Sequence, residues 1–409
     1  MLLPLKYRQP VLLGLLLLSV FSLFVSRAGL SISMIAFVAV TTLHRGIGAQ
    51  LRRVVTNPTL LGMTLLFAVP LVSGLWSDDT GGWAGAVRIK LPLLFFPLAF
   101  AGSWQLTQAQ WRFLALFFAG CVSLGAAGSL GLYLENAAAH NEGFLRAKTF
   151  STPLESDHVR FSWLVTVAQL TLLALWKDGS RVQRWCYGTL LLFLTVYLHV
   201  LSARTGLGAF YLLLGMAALR LLFQKRSWKL GLAAGIAVVA LPLLALRFLP
   251  SFQNRVAYIR YDLPNVLNGS YQMGANDGNR FLSIRAGIDL LRQHPGGIGF
   301  GDIQPASNAW FDAHVPGMIR SDRFLPSSEW LMYGLGAGWI GVLLFTASMA
   351  LPLLDRSIRR SFLWFVLNCG AAFSFLFDIG LEVQYGVYGY VFLILWWWKW
   401  LTPETGQAE

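Results

Sequence analysis

About a dozen times along this chain the sequence enters an apolar run long enough to cross a bilayer as a helix, which takes about 17 to 25 residues for a hydrocarbon layer roughly 30 Å thick. No other feature constrains the fold as strongly. Inside hydrocarbon every backbone N–H and C=O must find a partner within the chain, so such runs form helices or a closed barrel. Their apolarity is continuous rather than alternating, which selects helices. With 56% hydrophobic and 12% charged residues, the 409-residue chain lies outside the composition of soluble domains. The expected fold class is an all-α polytopic membrane protein, a single transmembrane domain over residues 1–409.

The runs lie near residues 11–26, 30–43, 59–75, 88–104, 113–133, 161–176, 186–202, 205–223, 230–249, 329–352, 362–381 and 384–401. Twelve spans put both termini on one side. The first run, starting at Val11 behind Lys6 and Arg8, has features of a signal peptide. It is long for one, lacks a small-residue cleavage site and is followed at once by a second run, so it is read as a span. Cys121, Cys186 and Cys369 all fall within spans, which favours helix packing over a disulfide framework or a CxxC metal site. The C-terminal TPETGQAE is expected to be disordered.

Loop charge sets the orientation. GAQLRR, KDGSRVQR, QKRSWK and LDRSIRR fall on the side of the N-terminus, and basic short loops mark the cytoplasm. The net charge of +13 then belongs to membrane-surface loops rather than to a nucleic-acid interface. The longest non-membrane stretch, residues 250–328, is a partly helical loop subdomain between spans nine and ten on the outer side, together with residues 135–160 and the short link at Arg204. It holds seven arginines, more than a translocated segment needs, which points to an anion held on that face.

Three outer motifs stand out. Arg204, in HVLSARTGLGAF (199–210), has no acid near it in sequence. Its small neighbours Ser202, Gly206 and Gly208 favour an arginine facing the bundle over one that snorkels into the interface. In NRFLSIRAGIDLLRQHPGGIGFGD (279–302), Arg280, Ile284, Ile288 and Leu291 are spaced as one helix face, and Pro295 with the four glycines after it predicts a flexible turn. If that helix lies on the membrane, Arg280, Arg285 and Arg292 touch lipid phosphates. In RSDRFLPSSEWLMYGLGAGWIG (320–341), Pro-Ser-Ser-Glu reads as a helix entry, with the serines capping free N–H groups and Glu329 in the first turn. Arg88 and Lys90, at the outer start of the fourth span, either pair with Asp78 and Asp79 or contact phosphates.

WSDD (76–79), RIKLPLLFFPLAF (88–100), HVRFS (158–162), SARTG (202–206), LLRQHPGGIGFG (290–301) and PSSEWLMYGLGAGWIG (326–341) occur in that order. With this series the chain resembles the O-antigen ligase and polymerase superfamily of bacterial envelope enzymes, from about residue 60 to 345. The resemblance implies a glycosyltransferase of the bacterial inner membrane that uses no metal or other cofactor. Such enzymes move a glycan from undecaprenyl diphosphate to a sugar hydroxyl on the periplasmic face, in the ligase branch to the lipid A–core oligosaccharide. It also implies that Arg204 and Arg280 bind the diphosphate and that Asp378 is the acid near the end of the eleventh span. Arg285, Arg88 and Arg160 are further candidate phosphate contacts.

The chain departs from the family at the start of span ten, where Ser327, Ser328 and Glu329 replace the usual histidine step. A general base is therefore sought among His314, Glu329 and Asp378, with His158 beside Arg160 as a further candidate. His294 is assigned to a helix end and His44 to the cytoplasmic side. A polymerase using the same donor is the nearest alternative. A transporter or flippase would place ionisable residues in mid-span, where this sequence has almost none.

Overall fold

The computed structural model describes residues 5–44, 46–224 and 227–402. Lys225 and Arg226 of the QKRSWK loop, and residues 403–409 of the tail expected to be disordered, lie outside the described residues. In chain order the helices are α1 (Leu5–Val25), α2 (Arg27–Thr42), α3 (Ile47–Thr56), α4 (Pro58–Ser73), α5 (Thr80–Lys90), α6 (Pro92–Phe100), α7 (Gln108–Glu135), α8 (Ala137–Phe144), α9 (His158–Trp176) and α10 (Arg181–Leu201). They continue with α11 (Arg204–Leu222), α12 (Trp228–Phe248), α13 (Pro250–Asn268), α14 (Asp277–Gln293), α15 (Ile303–His314), α16 (Glu329–Leu354), α17 (Phe362–Phe377) and α18 (Gln384–Leu401). Among the described residues there is no strand. Among the described residues eight helices are long and apolar enough to cross a membrane, with α5 and α6 counted as one segment; α2 and α3, bent by 106°, would add a ninth. The protein is a polytopic helical membrane protein.

Local chemistry explains the boundaries. Thr107 with Gln110, and Ser180 with Gln183, form reciprocal capping boxes that start α7 and α10. Asn57 caps α4 ahead of Pro58, whose missing N–H costs nothing in a first turn. The fourth span is displaced from its expected position at 88–104. Asp79 accepts the Gly82 N–H at 2.8 Å and starts the helix at Thr80, so Arg88 and Lys90 lie inside the segment Thr80–Phe100. Pro92 then breaks α5 from α6.

Packing grades from centre to edge. In α9, 72% of the apolar window is buried within the protein, and in α12 only 11%, so α9 is central and α12 faces lipid. Along one face of α18 Tyr388, Phe392, Trp396 and Trp400 stack in series, with centroid separations of 4.9, 6.2 and 6.0 Å. Two sets of long-range polar contacts mark the ends of the bundle. Asp355 accepts from Asn57, Thr59 and Trp398 at one end of the bundle, where Arg112 also reaches the carbonyl of Asp178. At the other end Asp302 accepts the N–H groups of Asp78 and Asp79, and residues 250–328 pack onto α8, α10, α12 and α16, with Asp277 and Arg280 reaching Arg204 of α11 and the Phe377 carbonyl of α17.

The glycine run after Pro295 is locked rather than flexible. α16 is broken at Ala337 and Gly338, with Gly338 at φ 65°, ψ −156°. Into this break fits the His294–Gly301 turn: Ile298 N–H donates to Leu335 O at 2.7 Å and Trp339 N–H to Pro295 O at 3.1 Å. A Cβ on Gly338 would lie 2.0 Å from the Pro295 carbonyl oxygen, and one on Gly297 2.5 Å from the Gly338 nitrogen. The two glycine-rich motifs therefore hold each other, and the turn anchors the C-terminal end of α14. The buried face of α14 also differs from the expected Arg280–Ile284–Ile288–Leu291 stripe. Of that set only Leu291 is buried; the face runs through Leu282, Ser283, Ala286, Gly287, Leu290 and Leu291, because Gly287 allows close contact with Pro326.

Candidate active site

The link between α10 and α11 is short because Ser202 takes a left-handed conformation at φ 52° and turns the chain at once. Its hydroxyl donates to the His199 carbonyl at 2.7 Å. α11 then starts at Arg204 behind Ala203, which has no side chain able to cap the free N–H groups. A cation at the positive end of a helix is unfavourable until an anion joins it. In this structure that anion is Asp277, whose carboxylate contacts the Arg204 guanidinium. The acid missing from the sequence around Arg204 is thus supplied across the fold: its partner is the first residue of α14. Arg204 remains 43% exposed beside it. Small residues do bring α11 close to its neighbours, since a Cβ on Gly206 would fall 2.3 Å from Ser162 Cβ and one on Gly208 2.5 Å from the Phe373 ring.

α14 owes its start to a residue of another helix. The buried Asp262 of α13 accepts the N–H groups of Asp277 at 2.7 Å and Gly278 at 3.1 Å, and the Tyr258 hydroxyl donates to it at 3.0 Å. This cap fixes Arg280, one turn on. Arg280 donates from Nε to Asn276 at 3.1 Å and from a terminal nitrogen to the Phe377 carbonyl at 3.4 Å. Arg160, in the first turn of α9, donates to Asp157 at 2.7 Å, to Asp378 at 3.3 Å and to the Ile379 carbonyl at 3.1 Å. Asp157 meanwhile caps α9 through the Arg160 N–H at 3.1 Å.

A fourth arginine, Arg255, escaped the sequence reading. It is 6% exposed, its guanidinium lies 5.1 Å from the Phe144 ring centroid, and its Nε has no hydrogen-bond partner. The signal was present in α13, whose buried positions Ser251, Arg255, Tyr258 and Asp262 recur at helical spacing on a polar face. Burial, then Arg204, pushes the pKa of Arg255 down to about 10. Because a guanidinium keeps its proton in proteins, that depression marks an unsatisfied cation rather than a titrating group. Burial also lowers Arg280, with Arg204 and Arg160 acting in the same direction against Asp378 and Asp277. Asp378, 6% exposed, is raised by burial, and Arg160 and Arg280 only partly oppose this.

The structure therefore brings together Arg160, Arg204 and Arg280 of the expected set with Arg255, around Asp157, Asp277 and Asp378. His158 lies in the field of Arg255, Asp157 and Arg280. The charge surplus is smaller than the arginine count of residues 250–328 implied, because six aspartates share that stretch and Asp262 and Asp277 are both engaged here. Among the described residues no three His, Cys, Asp or Glu side chains are grouped as a metal site requires. The small pocket beside Arg160 and Asp378, also lined by Trp163 and Tyr385, holds about 20 Å³, room for about one water and not for a sugar.

Below this cluster a second charged group holds the turn that carries Asp378. Glu329 is fully buried; Oε1 accepts the Leu381 N–H at 2.5 Å and Oε2 has no partner. Lys90, also fully buried, donates to Glu382 at 2.6 Å and stands 5.0 Å from the Phe300 ring. The expected pairing of Arg88 and Lys90 with Asp78 and Asp79 is not formed. The serines of the α16 entry do not cap it either: the Ser327 hydroxyl pairs with that of Ser283 at 3.0 Å and the Ser328 hydroxyl reaches the Phe375 carbonyl at 3.5 Å.

Three expected residues stand apart. His314 is exposed at the end of α15, stacked on Trp310 at 4.5 Å with Nδ1 held to the Trp310 carbonyl at 2.9 Å. Arg285 is 55% exposed and faces Asp289 at 4.0 Å. Arg88 opens onto a different groove, between α2 and α6. Neither protein-family models nor curated proteins give a match to this chain.

Proposed function

We propose that the protein is an O-antigen ligase: an inverting, metal-independent glycosyltransferase that moves a glycan from undecaprenyl diphosphate to the lipid A–core oligosaccharide at the periplasmic face of the bacterial inner membrane. The observation that carries this reading is the convergence of Arg160, Arg204, Arg255 and Arg280 at one end of a membrane bundle, with Arg255 lacking a full set of partners. A lipid-linked diphosphate keeps its chain in the bilayer and its charge at this level. As the bond from the anomeric carbon to the diphosphate oxygen breaks, fixed guanidinium groups stabilise the charge that develops there.

In the proposed step an acceptor hydroxyl oxygen attacks the anomeric carbon from the face opposite the diphosphate. The new C–O bond forms as the old one breaks, the diphosphate leaves with its electron pair, and the hydroxyl proton passes to a base. Asp378 is the preferred base. Its raised proton affinity and its place between Arg160 and Arg280 suit that role, whereas Glu329 is sealed and His314 is held on α15. The topology proposed with it has twelve spans, α2, α4, α17 and α18 joining the eight longer ones. The basic loops around Arg52, Arg184 and Arg359, and both termini, would face the cytoplasm.

The test is reconstitution of the purified protein with lipid-linked glycan and rough lipopolysaccharide, in chelator and without nucleotide. Ligase activity gives glycan joined to core. Arg204→Ala or Arg280→Ala should abolish transfer while the protein still reaches the membrane; normal transfer by both variants defeats the diphosphate assignment. Lengthened lipid-linked glycan instead of modified core would identify a polymerase, and movement of lipid without any new glycosidic bond a flippase.

A further inference from the structure

On the other side of the bundle from α11 and α13, a groove of about 880 Å³ opens between α2, the α5–α6 segment and the first residues of α18. Its character changes along its length. Arg27, Arg88 and Glu382 stand at one end, while Ile35, Val38 and Phe95 represent the apolar remainder. Because α2 lines it from Arg27 to its last turn, the groove is about 24 Å long at 1.5 Å per residue. A polar mouth and a long apolar trough match an amphiphile with a charged head and a hydrocarbon chain.

The charge at the mouth identifies the head. Glu382 is held by Lys90 and Arg27 by Glu155. Arg88 is exposed and forms no ion pair among the described residues, although it lies within a membrane-crossing segment. An unpaired guanidinium at such a depth is costly unless an anion meets it. The groove also adjoins the candidate active site: Tyr385 lines both the groove and the small cavity that contains Arg160 and Asp378. The two sides are built separately, since α2 packs on α1 and α6 whereas α11 packs on α9, α12 and α17.

We propose that this groove seats the acyl chain of a phosphorylated acceptor glycolipid, with its phosphate on Arg88 and Arg27 at the rim. The inference rests on the glycosyl-transfer reading, in which two lipid-anchored substrates must meet at one carbon from opposite faces. With the diphosphate on Arg204 and Arg280, the side left for the acceptor is the one that opens at Tyr385. The groove then sets which hydroxyl reaches the reacting carbon, by fixing how far the acceptor head stands above the membrane.

The experiment measures lipid binding, not transfer. The purified full-length protein is titrated in detergent with bis-phosphorylated lipid A, with the same lipid A after phosphate removal, and with a polyprenyl diphosphate, bound lipid being counted by native mass spectrometry. Wild type is expected to retain bis-phosphorylated lipid A at least tenfold more tightly than the dephosphorylated form. Arg88→Gln should remove that preference, and Ala39→Trp, which fills the trough, should prevent binding of both forms. Polyprenyl diphosphate binding should survive both changes and be lost in Arg280→Gln. If Arg88→Gln and Ala39→Trp leave lipid A binding unchanged, or abolish polyprenyl diphosphate binding in its place, the assignment is overturned. Lipid A binding that follows this pattern in a protein that transfers no glycan would sink the transferase reading and leave the lipid site standing.

Discussion

Replacing Gly338 by alanine tests whether the break in α16 is what fixes the outer subdomain. At φ 65°, ψ −156° the residue occupies a region that side chains rarely enter, a strain of roughly 1–3 kcal/mol for alanine. The added Cβ would also lie 2.0 Å from the Pro295 oxygen and 2.6 Å from the Gly296 carbonyl carbon. These are backbone atoms, and the turn that carries them is tied by the Ile298–Leu335 and Trp339–Pro295 hydrogen bonds, so it cannot swing aside as a flexible side chain would. Overpacking of this kind adds roughly another 1–3 kcal/mol, for a total of roughly 2–6 kcal/mol. Gly370 provides the control. It sits within α17 with nothing within 4 Å of its would-be Cβ, so Gly370→Ala should stabilise by roughly 0.5–1 kcal/mol. Unfolding by SDS in mixed micelles, followed by tryptophan fluorescence, gives both values on one scale. Because the turn anchors α14 and hence Arg280, Gly338→Ala should also weaken the thermal stabilisation conferred by a polyprenyl diphosphate. Equal stability of Gly338→Ala and wild type, or equal loss in both glycine variants, would show that the break is not under steric control.

Other consequences can be measured in the same system. Lys90→Met strands Glu382 beside the buried Glu329 and should cost roughly 3–5 kcal/mol, most of it recovered in Lys90→Met/Glu382→Gln; equal stability of the single and double variants refutes the pairing. Asp378 has a folded pKa above the ordinary carboxylate value, so the stability it contributes is fully present below that ordinary value and is lost as pH rises through the folded one. Transfer should rise over that same interval, and Asp378→Asn should abolish transfer and with it that limb of the pH–rate profile, while diphosphate binding is kept. Asp277→Asn frees Arg204 from its protein partner and should tighten diphosphate binding severalfold by isothermal titration; weaker binding would mean that Asp277 positions Arg204 rather than competing for it.

Hydrophobic length acts locally, so the sequence places most membrane-crossing helices near their apolar runs, whereas the Thr107–Gln110 and Ser180–Gln183 boxes that start α7 and α10 are found only in the structure. The sequence reading also singled out Arg160, Arg204, Arg280 and Asp378, which do converge. It missed what depends on contact between distant segments. Asp277 is an ordinary acid until α14 is laid against the mouth of α11. The glycines after Pro295 suggest freedom until the break in α16 encloses them. The α5 start was obscured by Gly81, Gly82 and Gly85, which dilute the apolar pattern although Asp79 provides a sound cap. Arg255 was hidden for the opposite reason, since a polar face buried in an otherwise amphipathic helix looks like a solvated one.

The ring column of α18 gives the bundle a mechanical datum. Aromatic side chains stacked from Tyr388 to Trp400 have few alternative rotamers, and nearly every residue of the helix is enclosed by its neighbours. The turn at Asp378 to Glu382 stands at the head of this post, so its height is referenced to the far end of the bundle and not to the surrounding lipid. Changes in bilayer thickness should therefore be absorbed at the periphery, where α12 is exposed, leaving the Asp378 carboxylate in register with Arg160.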